Sequence, residues 1–98
     1  MSNYKWFGIE CGNGWAHLYE PLIDRCIAEG VEILQIKEKF GGLRFYVSLC
    51  SKELQDMIDA AELKSFSTCE VCGEKGEVRY RKWIRTLCDE HAEESLLL

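Results

Sequence analysis

Cys69 and Cys72 form a C-x2-C pair, and Cys88 and His91 form a C-x2-H pair, with fifteen residues between the two. Two intervening residues let both side chains of a pair reach one ion. Thiolate sulfur and imidazole nitrogen are the donors zinc prefers, and four of them fill its tetrahedral shell. A catalytic zinc keeps one position open for water or substrate, so a complete protein shell implies one structural Zn2+. The competing reading is two unrelated pairs, one of them a redox C-x-x-C. A redox motif belongs at a strand–helix junction of a βαβ unit, and no such unit is legible around Cys69.

Cys11, Cys26 and Cys50, with His17, could in principle build a second site. Their spacings are irregular, and Cys26 falls on an apolar helical face, so burial as small hydrophobes is the better expectation. His17 reads as a surface or hydrogen-bonded residue. A second informative cluster is Lys75, Arg79, Arg81, Lys82 and Arg85, opposed within the window 75–85 by Glu77 alone. Interleaved with Tyr80 and Trp83, it could grip nucleic acid through phosphates and stacking. It could equally form a protein contact, since arginine and tryptophan are enriched in interface hot spots. The plainest reading is a solvated hairpin whose arginines pair with Glu74, Glu77 or the glutamates of the tail. Arg79, Arg81, Lys82, Trp83 and Arg85 are the candidate partner-binding residues.

No carboxylate pair, Ser-His-Asp or Cys-His-Asn order, or phosphate-binding glycine loop stands beside the metal ligands, so a binding role is expected rather than catalysis. A treble-clef nuclease would need a further histidine-based metal site, and only His17 and His91 exist. The net charge of −5 argues against a general coat for DNA or anionic membrane. No apolar stretch is long enough to span a bilayer. Met1–Lys5 lacks the apolar core of a signal peptide. The chain is therefore expected in the reducing cytoplasm, where cysteines serve metal binding and burial before disulfides.

The elements that must position these residues read as α+β: a helix–β-hairpin–helix unit over 1–67, followed by a treble-clef-like zinc finger over 68–98 packed on it. Trp6, Phe7 and Ile9 precede a turn at Cys11–Gly14. Trp15, Leu18, Tyr19, Leu22, Ile23, Cys26 and Ile27 recur at three- and four-residue steps, giving one helical face. Pro21 kinks this helix or restarts it, and Gly30 caps it. Val31–Phe40 and Leu43–Leu49 predict a hairpin, with Gly41-Gly42 supplying the positive φ angles of its turn. Leu34, Ile36, Phe40, Leu43, Phe45, Val47 and Leu49 are expected on the face that packs on the first helix, with Lys37, Lys39, Arg44 and Tyr46 opposite. Ser51 should cap a second helix with Leu54, Met57, Ile58 and Ala61 as its apolar stripe. Residues 65–68 read as the connection to the finger. There, Gly73 allows a tight turn after the knuckle, Val78 to Leu87 form a short hairpin around Arg81-Lys82, and Cys88 opens a helical tail.

Three blocks of sequence together are distinctive: Glu10–Trp15 (ECGNGW), Gln35–Tyr46 (QIKEKFGGLRFY) and Trp83–Ala92 (WIRTLCDEHA). On these the chain resembles a group of small, mostly uncharacterised zinc-finger proteins of bacteria and their phages, over nearly its whole length. The resemblance implies a mobile-element setting. Small acidic proteins without catalytic residues often act there by adhering to a host protein, as anti-CRISPR proteins and other inhibitors of defence nucleases do. The leading expectation is a zinc-stabilised interaction protein that inhibits or modulates a host nucleic-acid-processing protein such as a CRISPR nuclease. The alternative is a nucleic-acid-binding finger with Arg79, Arg81, Lys82 and Arg85 on phosphates.

Overall fold

The computed structural model describes the backbone of residues 9–96 and the side chains of 9–93. Trp6 and Phe7 lie outside the described residues. A short strand β1 (Ile9–Glu10) and a 3-10 turn (Asn13–Trp15) lead into helix α1 (Ala16–Glu29). Strands β2 (Ile33–Lys39) and β3 (Gly42–Val47) follow, then helix α2 (Lys52–Ser65). Strands β4 (Glu77–Arg79) and β5 (Arg85–Leu87) and helix α3 (Asp89–Leu96) complete the chain. β1 lies parallel to β2 and β2 antiparallel to β3, giving the order β1-β2-β3, while β4 and β5 form a separate antiparallel pair.

α1 runs unbroken through Pro21, so the sequence-level restart is not used, and Gly30 ends it in the left-handed conformation with φ 69°. α2 begins where the Ser51 side chain accepts from the Leu54 amide. Trp15, Leu22, Ile23 and Cys26 meet Ile33, Ile36, Leu43 and Phe45 of the sheet and Leu54 and Ile58 of α2 in one apolar core. Met57 and Ala61 pack at its margin, as the stripe on α2 requires.

Two expectations for the first hairpin are corrected. Leu34, Phe40 and Leu49 are exposed, not inward, and Ile33 takes the buried place. The register slips between Ile33 and Gln35, and this irregularity reverses the side-chain alternation in that stretch, so Ile33 and Ile36 share a face that strict period-two spacing would separate. The turn is also one residue earlier than Gly41-Gly42. Lys39 pairs with Gly42, and Phe40 and Gly41 take the two positive φ values, 54° and 87°. Gly42 is a strand residue, required for another reason: a Cβ there would stand 2.3 Å from Cζ of Phe66, whose ring lies on it. The outward amides of β3 are occupied from α2. Leu43 N–H donates to Ser65 Oγ at 2.8 Å, and Phe45 N–H to Glu62 Oε2 at 2.9 Å. This edge therefore offers fewer open donors for strand addition.

Residues 65–68 are less of a free connection than the sequence suggests, because Ser65 and Thr68 are buried. The β1 pairing has no counterpart in the sequence pattern. Two residues are too short for a periodic signal, and only their register against Ile36 and Lys37 makes them a strand.

Candidate metal centre

The knuckle begins at Cys69. Gly73, at φ 85°, returns the chain so that its amide donates to the Cys69 carbonyl at 2.9 Å. β4 and β5 form the hairpin beyond it, with Glu77 opposite Leu87 and Arg79 opposite Arg85. Cys88 immediately precedes α3, and its carbonyl accepts from the Ala92 amide, which brings His91 in the first turn back over Cys88. Knuckle, hairpin and helix thus deliver the four residues that the spacing nominated.

Their ligating atoms all lie within 4.8 Å of one another, and they are the one such group among the described residues. Cys72 Sγ is 3.8 Å from Cys88 Sγ, and His91 Nδ1 is 3.6 Å from Cys69 Sγ and 3.2 Å from Cys88 Sγ. Metal–sulfur bonds of about 2.3 Å and metal–nitrogen bonds of about 2.0–2.1 Å at tetrahedral angles give edges of about 3.8 and 3.5 Å. Three of the six edges are close to those of such a shell, and the cluster could hold a metal ion. The histidine presents Nδ1, not Nε2.

Backbone dipoles favour the anionic ligand. Burial raises the Cys69 thiol, but amides of Cys88, Cys72 and Val71 directed at its sulfur outweigh burial and bring it from 9.0 down to about 6. The Glu74 amide acts in the same direction on Cys72, yet burial and the two neighbouring sulfurs carry that thiol up to about 11. Two crowded thiols resist losing both protons, and a dication at their centre reverses that cost.

Cys11, Cys26 and Cys50 do not gather a second set of ligands among the described residues. Cys26 is fully buried, and Cys11 and Cys50 are half-buried. Burial, then Glu70 and Glu38, push the Cys11 thiol up to about 12. Burial, then Cys50 and Glu29, push Cys26 up to about 11. Both are poor ligands in that state, as free buried cysteines are. His17 is exposed at the surface, close to Gly73.

The residue that sequence reasoning missed is Glu70, 6% exposed, between the two knuckle cysteines. Its Oε2 accepts from the Gly12 amide at 2.9 Å and its Oε1 faces Arg85 at 3.4 Å. Its carbonyl accepts from Gly14 N–H at 2.7 Å, and its amide donates to Thr86 O at 3.0 Å. Beside it, buried Trp15 donates Nε1–H to Thr68 O at 2.8 Å. The ECGNGW block therefore seats the knuckle on the N-terminal elements. A Cβ at Gly14 would come 2.3 Å from the Cys69 carbonyl oxygen, so only glycine permits this approach. An acidic residue inside a knuckle normally reads as solvated, and no local pattern distinguishes this one.

The basic cluster is largely engaged within the molecule. Arg79 donates through Nε and Nη2 to Leu87 O and through Nη2 to Asp89 at 2.9 Å. Arg81 donates to Ala92 O at 3.0 Å, and Arg85 faces Glu70. Among the described contacts the partners are Asp89, Glu70 and the carbonyls of Leu87 and Ala92. Lys82 and Trp83 are exposed, with the Lys82 ammonium 5.6 Å from the Trp83 ring centre. No protein-family model, curated protein or solved structure matches the chain.

Proposed function

We propose that Cys69, Cys72, Cys88 and His91 hold one structural Zn2+ in a finger of the treble-clef class, and that the protein is a zinc-stabilised interaction module. The four-donor shell supports this reading, because it leaves no position open for substrate. Its task is to fix a display surface. Glu70 and Trp15 tie the metal knuckle to the N-terminal elements, and the hairpin of β4 and β5 is held in place with it. The engagement of Arg79, Arg81 and Arg85 in internal hydrogen bonds weighs against a finger that uses all three to grip phosphates. It favours a protein partner.

The partner we propose, following the phage and bacterial resemblance, is a host nucleic-acid-processing protein in the cytoplasm, with a CRISPR nuclease as the first instance to test. A chain of net charge −5 complements the basic channels of such enzymes and would accelerate encounter. Two measurements test the reading. Elemental analysis should find one zinc per chain. The zinc-loaded protein should inhibit cleavage by a purified CRISPR nuclease and bind it at moderate salt. One zinc with no effect on any nuclease tested would leave the metal and sink the inhibitor role, whereas no zinc would sink both.

A further inference from the structure

Phe40 has no structural reason to be phenylalanine. Its backbone sits at φ 54°, a region that glycine enters freely and bulky residues avoid, and its ring is 64% exposed. Strained, exposed residues of this kind concentrate where ligands are held. Across from it Trp83, 74% exposed, stands in the loop between β4 and β5. Glu38, Phe40, Lys82, Trp83, Ile84 and Arg85 line one open cleft of about 360 Å³ between the two hairpin tips.

The two tips are held together. Thr86, fully buried, donates its hydroxyl to Gly41 O at 2.6 Å. Each exposed ring has the ammonium of the preceding residue over one face, leaving the other face for a base: Lys39 Nζ lies 5.7 Å from the Phe40 ring centre, and Lys82 Nζ 5.6 Å from that of Trp83. The Glu38 carboxylate is turned into the hairpin, where it accepts from the Gly41 amide at 2.7 Å.

We propose that this cleft is a binding site for single-stranded nucleic acid, with bases stacking on Phe40 and Trp83 and phosphates approaching Lys39 and Lys82. A lysine–aromatic pair on each tip suits a polymer that alternates flat rings with anions. An acidic peptide would use the ammonium groups and leave the rings idle. The site goes beyond the protein-partner reading and does not depend on it. It also differs from a phosphate grip by the hairpin arginines, which are engaged elsewhere.

The test is fluorescence anisotropy of a fluorescein-labelled oligothymidylate titrated with zinc-loaded full-length protein at about 50 mM salt. Saturable binding that weakens with salt is expected. Phe40→Gly and Trp83→Ala should each weaken it about tenfold. Phe40→Gly should keep or raise the melting temperature, since glycine suits the turn, which separates lost stacking from lost fold. Lys39→Gln with Lys82→Gln should flatten the salt dependence. Absence of binding at this salt overturns the proposal, as does full affinity in both aromatic variants. Equal affinity for duplex of the same sequence length, or equal displacement by polyglutamate, would reduce the site to charge attraction and overturn it too. Direct binding to the nuclease without nucleic acid, at moderate salt, is independent of these results, so the two readings fail separately.

Discussion

Among the described residues, twelve of the N-terminal part, from Trp15 to Ile58, bury themselves in one apolar cluster between two helices and a sheet. Among the described residues of the C-terminal part, the corresponding cluster is Cys69, Leu87 and Ala92, with Cys88 at its edge. Apolar burial contributes about 25 cal/mol per Å², so the first cluster holds its elements by packing far more strongly than the second. Cys69, Cys72, Cys88 and His91 could hold a metal ion there, and on the reading proposed above that ion replaces the missing core. Zinc binding is worth roughly 10–16 kcal/mol in finger peptides, and it is coupled to folding. On that reading one chain contains a region held by area and a region held by four metal–ligand bonds, joined by a seam of hydrogen bonds around Glu70.

The widest separation between the regions should come from the ligands. Cys69→Ser or Cys88→Ser should release the ion and unfold β4, β5 and α3, while α1, β2 and β3 keep most of their protection. Hydrogen exchange with elemental analysis reads both, and undiminished zinc in either variant would refute the ligand assignment. The reverse experiment is Ile58→Ala, in the apolar core. It should cost about 2–5 kcal/mol in denaturant titration with the zinc stoichiometry unchanged.

Acid should affect the metal region first. The Cys69 thiol is depressed from 9.0 to about 6, so the stabilisation of its anion is complete above pH 9 and is lost as pH falls through 6. Zinc released to a chromophoric chelator should stay low at neutral pH and rise below about pH 6. Release already complete at pH 8 would mean that the backbone amides do not favour this thiolate.

The seam is a subtler target. Glu70→Gln keeps the shape but removes the charge facing Arg85, and should cost about 1–3 kcal/mol. Because Glu70 bonds both regions, the loss should appear in their exchange rates together; a loss confined to one would show that the seam does not couple them. At the small end, Leu49→Ser should change stability by less than about 0.5 kcal/mol, since the side chain is 96% exposed. A larger loss would return Leu49 to the packed face on which alternation had placed it.

Legibility in the sequence followed the range of the interactions. The ligand set, the Ser51 cap, the Gly30 cap and the stripe of Leu54, Met57, Ile58 and Ala61 are all properties of a few neighbouring residues, and each is where its spacing indicates. The misplacements arose where a distant neighbour decided. The register slip near Leu34 cannot be seen without β3, and Gly41-Gly42 looks like a turn until Phe66 is seen to occupy the space above Gly42.

For this chain, then, local spacing alone determined that two ligand pairs could meet at one metal, because two intervening residues suffice for each pair, with a left-handed glycine after the first and a helical turn under the second. Only the tertiary structure decided that Glu70 is a buried junction, that three arginines of the basic cluster are engaged internally, and that Phe40 and Trp83 share a cleft. The junction and the cleft depend on backbones that approach from 58 and 45 residues apart, and the arginine contacts on partners 8 to 15 residues away across the second hairpin and its flanks. No pattern within one segment encodes what the other segment will present.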